Sequence, residues 1–105
     1  MARIGHKTYQ GLPLVADWLH LRPHFHPLAF WQVEGLLQAA FEQGQFTQQV
    51  DTAGNVSWKV DFQANSVLRV DSHGNQLSAV RMFIQREHLV TFAGYVWLIK
   101  TAFVR

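Results

Sequence analysis

The feature that most constrains the fold is a change in the spacing of the hydrophobic residues at Gly44. Before Gly44 apolar residues recur about every 3.6 positions, and after it they alternate with polar residues. The first spacing is typical of an amphipathic helix and the second of a half-buried strand. The chain is therefore predicted to adopt an α+β fold, in which helices come first and strands follow.

The best-defined helix is predicted over residues 27–43. Pro27 suits the first position of a helix, and Gly44 suits the left-handed residue that ends many helices. One face of this helix collects the apolar side chains Ala29, Phe30, Val33, Leu36, Leu37, Ala40 and Phe41. A shorter helix is predicted over residues 12–21, followed by a stiff, extended linker at 22–27 that contains two prolines.

Trp31 is the exception on the helix wheel, because it falls on the polar side of the predicted helix. The stiff linker favours a path in which the first helix folds back across this side. We therefore expect Trp31 to be mostly buried. The alternative is an exposed indole that anchors a partner, a role in which tryptophan is over-represented.

Strands are predicted after Gly44 over residues 45–50, 55–62, 66–71, 76–86 and 89–103. Segments 51–55 and 71–75 share the pattern Asp-x-x-Gly-Asn, which is typical of tight turns. Because short loops between successive strands make neighbours antiparallel, the strands should form a meander. The predicted architecture is one domain over residues 1–105, with one or two N-terminal helices packed on an antiparallel β-meander of four to five strands.

Composition narrows the functional classes. The chain has no cysteine, which excludes disulfides and thiolate chemistry and fits a reducing compartment. Its net charge is only +2 and its basic residues are scattered, which disfavours a nucleic-acid partner. There is no signal-peptide pattern, no apolar run long enough for a membrane and no Gly-rich phosphate loop. We therefore expect a cytoplasmic protein with no membrane association and no cofactor.

Three histidines, His20, His24 and His26, have a spacing that invites comparison with a zinc site. Pro23 argues against placing the first two on one helical face, and the His-Glu-x-x-His pattern of zinc proteases is absent. The sequence therefore favours no metal site. A zinc site held by His20, His24 and His26 is the alternative to this interpretation.

The last predicted strand is apolar on both faces around Tyr95, Trp97 and Ile99, so each face needs a cover. One layer of helices covers one face. The other face is expected to contact either a second copy of the chain, through the outer surface of these three residues, or the N-terminal segment of the same chain. Charged residues make up only 15% of the chain, which also favours a partner surface.

These features favour a non-catalytic binding or interaction protein that acts as a homodimer or with a small protein partner. A variant of this interpretation places a small apolar ligand in a cavity between helix and sheet, lined by Trp58, Met82 and Trp97.

The alternative is a small metal-independent ribonuclease of toxin type, which needs an acid or base beside cations that hold the phosphate. His88 is the candidate acid or base, and Arg81 and Lys59 are the candidate cations. Arg86 and Glu87, which precede His88, belong to the same candidate group. The order of helices and meander resembles that of barnase-like ribonucleases, although no short motif matches and no catalytic residue is assigned from the resemblance. The simpler interpretation is that residues 86–88 form a polar turn.

Overall fold

A computed structural model describes residues 1–63 and 79–105 of the chain. The elements in these ranges are β1 (Ala2–Tyr9), β2 (Leu12–Ala16), α1 (Trp18–Phe25), α2 (Phe30–Gln43), β3 (Gln45–Val50), β4 (Val56–Gln63), β5 (Ala79–Leu89) and β6 (Gly94–Val104). The predicted α+β class is confirmed. None of the helices in the described ranges is long and apolar enough to cross a membrane.

The six strands form one mixed sheet in the order β1-β2-β6-β5-β4-β3. All neighbours are antiparallel except β2 and β6, which run parallel. The predicted antiparallel meander of four to five strands is therefore wrong in strand number and in sheet type. The strand predicted at 66–71 and the turn at 71–75 lie outside the described residues, as does the start of the strand predicted at 76–86.

The N-terminal hairpin of β1 and β2 is what the sequence prediction missed, because residues 12–16 were assigned to a helix. β2 is a central strand between β1 and β6, so both of its faces are covered. Leu14 and Val15, which point to opposite faces, are both fully buried. A strand covered on both faces is a short, continuous apolar run, and periodicity does not separate such a run from a helix.

The two helices lie on one face of the sheet, and the apolar stripe predicted for the second is confirmed by the burial of Val33, Leu36, Leu37 and Ala40. The helix begins at Phe30 rather than at Pro27. At this start, the Gln32 side chain accepts a hydrogen bond from the Ala29 N–H at 2.8 Å. Gly44 is extended, with φ −72° and ψ 166°, and not left-handed as predicted. Glycine is required there for space: a Cβ atom would overlap the Ala40 carbonyl oxygen and the Val60 side chain.

Trp31 is 69% exposed, so the prediction of a buried indole is wrong. Residues 12–16 belong to the sheet, which leaves only α1 to pack near the start of α2. The α1 indole, Trp18, packs edge-to-face on Phe30 at a ring-centroid distance of 5.1 Å. The extended linker predicted at 22–27 is also wrong over residues 22–25, because α1 continues through Pro23 to the buried Phe25.

The faces of β6 are the reverse of those predicted. Trp97 and Ile99 are 7% and 2% exposed and pack in the core beneath the helices. The outer face carries Val96 and Leu98, which are buried with Val15 of the neighbouring strand and are flanked by Leu89 and Phe92. Tyr95, Trp97 and Ile99 therefore lie on the helix side of the sheet, so they cannot form the predicted interface on its outer surface.

We expect Gly44→Ala to lower the free energy of unfolding by about 1–3 kcal/mol, because the new methyl group would overpack the junction between α2 and β4. Chemical denaturation measures this change. Gly94→Ala is the matched control, since nothing lies within 4 Å of its added Cβ atom and its φ is not positive. Equal losses in the two variants would contradict the close approach at Gly44.

Trp31→Ala should change the free energy of unfolding by no more than about 0.5 kcal/mol, because the indole is exposed. Trp97→Ala should cost about 3–5 kcal/mol, because it empties a buried site of the same side chain. Urea denaturation of both variants provides the comparison. A loss above 2 kcal/mol at Trp31 would show that the indole is covered.

Candidate functional site

A cavity of about 360 Å³, lined mainly by aromatic side chains, lies among the described residues and opens to solvent on one side. It lies on the helix side of the sheet, between α2 and the strands β3 to β6, with the β1–β2 turn at its rim. Five of its seven lining residues are aromatic and one is a cation. We call it the aromatic pocket, and its lining consists of Tyr9, Gln10, Phe41, Phe46, Trp58, Arg86 and Trp97.

Strand register places the aromatic side chains of the pocket on one face. Trp58 pairs with Ile84 across β4 and β5, and Trp97 pairs with Arg86 across β5 and β6. The two indoles therefore point to the same side and meet edge-to-face at 5.5 Å. Phe41, which α2 contributes, lies 5.8 Å from the Trp97 ring. The floor of the pocket is thus a set of contacting rings from a helix and two strands.

The β1–β2 turn fixes the orientation of Trp97. The indole Nε1 donates a hydrogen bond to the Tyr9 carbonyl oxygen at 3.0 Å. Gln10 and Gly11 both have positive φ, 55° and 79°, as the tight turn of a hairpin requires. This bond connects the first strand to the last and satisfies a buried donor, so the indole cannot rotate without losing it.

A small polar network holds the Tyr9 ring over the pocket. The Tyr9 hydroxyl donates to Glu42 Oε1 at 3.0 Å, and Lys7 Nζ donates to the same oxygen at 2.8 Å. Burial, assisted by the neighbouring Glu42, raises the pKa of Tyr9 to about 12. The hydrogen bonds from Lys7 and Tyr9 lower the pKa of Glu42. The phenol therefore stays protonated and the carboxylate stays charged at neutral pH.

Arg86 is the only charged residue in the lining of the aromatic pocket. Its guanidinium carbon lies 5.7 Å from the Tyr95 ring centroid and 5.9 Å from that of Trp97, within the range of cation–π attraction. Within residues 1–63 and 79–105 it makes no ion pair. The site thus offers stacked rings with a cation at their edge.

The residues predicted for binding fall in different places. Trp58 and Trp97 line the aromatic pocket, and Tyr95, 55% exposed, stands beside it under Arg86. Met82 and Ile99 are buried in the core and do not line the pocket.

Sequence reasoning missed the other lining residues. The sequence pattern places Phe41 in the apolar stripe of the helix and Arg86 either among the ribonuclease candidates or in a polar turn. Neither pattern indicates that the two residues line one pocket. The available signal was the register of β5 and β6, because a hairpin that closes near residues 89–94 places Arg86 opposite Trp97.

Of the candidate ribonuclease residues, Arg86 lies near His88, but the two predicted cations Arg81 and Lys59 do not. His88 lies on the pocket side, edge-to-face with Tyr95, whereas its neighbour Glu87 points to the opposite face of β5. Arg81 is seven residues from His88 along the same strand, about 23 Å at the usual rise. Arg81 pairs with Asp61 at 2.8 Å and lowers the pKa of that carboxyl group. Lys59, on β4 beside Asp61, is also far from His88.

Two of the three histidines lie one turn apart. His20 and His24 are both in α1, with ring centroids 6.4 Å apart, because the helix continues through Pro23. The geometric argument against a shared helical face is therefore wrong. His26 follows the end of the helix. In the described part of the chain, no group of three or more His, Asp or Glu side chains is arranged to hold a metal ion.

No family model, curated protein or solved structure matches this chain.

Glu42→Gln should lower the free energy of unfolding at pH 7 by about 0.2–1 kcal/mol, the usual range for a surface ion pair. Because the folded-state pKa of Glu42 is lowered, its contribution is present above the unfolded pKa, near 4.5. That contribution is lost as the pH falls through the lowered folded value. Urea denaturation at pH 7 and pH 2.5 should show a difference between variant and parent that vanishes at low pH. A difference that persists would contradict the charge-dependent role.

Proposed function

We propose that this protein is a non-catalytic binding domain whose ligand is a small molecule with a flat aromatic or apolar body and an anionic group. The observation that carries the proposal is the aromatic pocket, in which five rings surround a cavity and one cation stands at the edge. Its volume of about 360 Å³ lies within the range of small-molecule sites.

The aromatic rings of the pocket favour a ligand with an apolar body. Phe41 and Phe46 meet edge-to-face at 5.4 Å, as do Trp58 and Trp97 at 5.5 Å. The cavity is therefore lined largely by aromatic side chains, which favour a flat apolar guest over a flexible polar chain. Phe46 is 41% exposed, so a guest that covers it also removes apolar surface from water.

Arg86 favours a ligand that carries an anionic group. The other ionised groups near the pocket, Lys7 and Glu42, already neutralise each other at 2.8 Å. Arg86 is held over Tyr95 and Trp97, and the planar guanidinium keeps donors free for a carboxylate or a similar group. A ligand charge at this edge gains a charge-assisted hydrogen bond while its body stacks on the rings.

The binding interpretation is favoured over the ribonuclease alternative by the placement of His88, Arg81 and Lys59. The two predicted cations, Arg81 and Lys59, are out of reach of His88, and the neighbouring cation Arg86 lies against the Tyr95 and Trp97 rings instead. We therefore carry the ribonuclease alternative no further.

The proposal is tested by isothermal titration calorimetry with three probes that share one ring system and differ in charge: 2-naphthoate, 2-naphthylmethanol and 2-naphthylmethylamine. We expect the anion to bind about tenfold more tightly than the neutral probe, a difference of about 1.4 kcal/mol, and the cation to bind most weakly. Arg86→Gln should abolish the preference for the anion. Trp58→Leu should weaken binding of all three probes.

Lys100→Gln is the control, because it removes one positive charge from an exposed position on β6 outside the aromatic pocket. It should leave the order of affinities unchanged. Equal affinities for the three probes would contradict the anionic class. The failure of all three to bind at millimolar concentration would contradict the pocket as a binding site.

A further inference from the structure

We propose that two copies of this chain pair through the edge of β3 that has no neighbour among residues 1–63 and 79–105, antiparallel across a twofold axis at Gln48, and so join their sheets into one. The interface borders the aromatic pocket, with which it shares Phe46, but the pairing of the two strands requires no bound ligand. The pairing is inferred from the two edges of the sheet, from the charge of β3 and from the register that a twofold axis allows.

The two edge strands differ in how available their backbone is. β1 is blunted: its pairing with β2 is irregular between Arg3 and Thr8, and the Arg3 side chain hydrogen-bonds to the carbonyl oxygens of His6 and Lys7. The Gly5 N–H donates to Glu34 Oε2 at 2.8 Å. Side chains thus occupy several of the groups that another strand would need, which is a known protection against edge pairing.

β3 shows none of these protections in the described structure. All six of its residues pair in unbroken register with β4, from Gln45 with Asp61 to Val50 with Val56. All six are exposed, and the strand has a described neighbour on one side only. The opposite side therefore presents a regular row of backbone donors and acceptors that an extended strand can pair with.

Because β3 carries no charge, its favoured partner is a second copy of the strand rather than a charged peptide. The strand Gln45–Val50 contains no charged residue and no proline. At a twofold axis every residue near the centre meets its own copy or a close neighbour, so any charge there would be opposed by a like charge. An uncharged strand of this kind can pair with itself without that cost.

The alternation of an antiparallel ladder limits the register. Along a strand, the N–H and C=O groups of successive residues point alternately to the two edges of the strand. A residue whose backbone groups point to the free side of β3 must therefore oppose a residue of the second copy whose groups point the same way. The sequence numbers of opposed residues in two copies of one strand therefore differ by an even number. The twofold axis then passes between the two copies of one residue. The candidates near the middle of β3 are Thr47, Gln48 and Gln49.

The exposed apolar residues select among these registers. Phe46 is 41% exposed and Val50 is 61% exposed, and both lie on the helix side of β3. An axis at Gln48 places Phe46 of one copy opposite Val50 of the other, twice. An axis one residue away in either direction places Phe46 opposite Gln48 or Thr52 instead. The axis at Gln48 therefore covers the most apolar surface.

The pairing is tested by sedimentation velocity from about 5 to about 500 µM, the range expected of a small interface. We expect the parent to dimerise. Gln48→Lys and Gln48→Glu should each weaken dimerisation at least tenfold, because each new charge meets its own copy at the axis. An equimolar mixture of the two variants should dimerise again, because opposite charges then meet. Val90→Lys, in the exposed turn before β6, adds the same charge as Gln48→Lys away from the edge and should not change dimerisation.

A second variant locates the axis independently of charge. The chain has no cysteine, so Gln48→Cys carries a single thiol. Two thiols that face each other across the axis are within disulfide reach, and mild oxidation should give a covalent dimer. Val90→Cys should crosslink at least tenfold more slowly at the same concentration.

Three results would overturn the proposal. The first is a monomeric parent at about 500 µM. The second is a dimer that both Gln48 charge variants leave intact, which would place the interface elsewhere, with the exposed Trp31 the next surface to test. The third is equal crosslinking of Gln48→Cys and Val90→Cys.

Discussion

The structure depends on the parallel pairing of β2 with β6, which brings residues 14–16 beside residues 97–99. This pairing makes both strands central in the sheet and accounts for the burial of Leu14 and Val15 on opposite faces. It also carries the β1–β2 turn to the rim of the aromatic pocket, where the Tyr9 carbonyl accepts the indole hydrogen bond of Trp97. Without it, β2 and the β1–β2 turn would lose their contact with β6, and the pocket would lose part of its rim.

The spacing of apolar residues was enough to predict the helices and strands that have one buried and one exposed side. The apolar stripe of α2 and the alternation in β4 are visible in the sequence, because each has one covered and one exposed side. The strand predicted at 45–50 is confirmed as β3, and the turn after it is held by Asp51, whose carboxylate accepts the N–H groups of Ala53 and Asn55. Periodicity failed where both faces are covered, at β2, and where a proline stands inside a helix, at Pro23.

The candidate site was less predictable than the fold, because it depends on contacts between distant segments. The unusual number of aromatic residues was visible, and Trp58 and Trp97 were assigned to a cavity between helix and sheet. Nothing in the local pattern connects them to Tyr9 or to Arg86, since those contacts arise from the parallel pairing and from the register of the last hairpin. The same two features explain why Ile99 and Met82, chosen for their sequence pattern, belong to the core instead.

The parallel pairing also sets an order of events during synthesis on the ribosome. β2 meets its partner only after more than eighty further residues have been translated, as the register of Leu14 with Trp97 requires. Until then an apolar strand that the finished sheet covers on both faces stays open to water and to other nascent chains. Domains that depend on such distant contacts fold slowly and are exposed to misassembly while they wait. A chaperone that holds the emerging N-terminal hairpin would therefore act on the segment that the completed protein conceals most thoroughly.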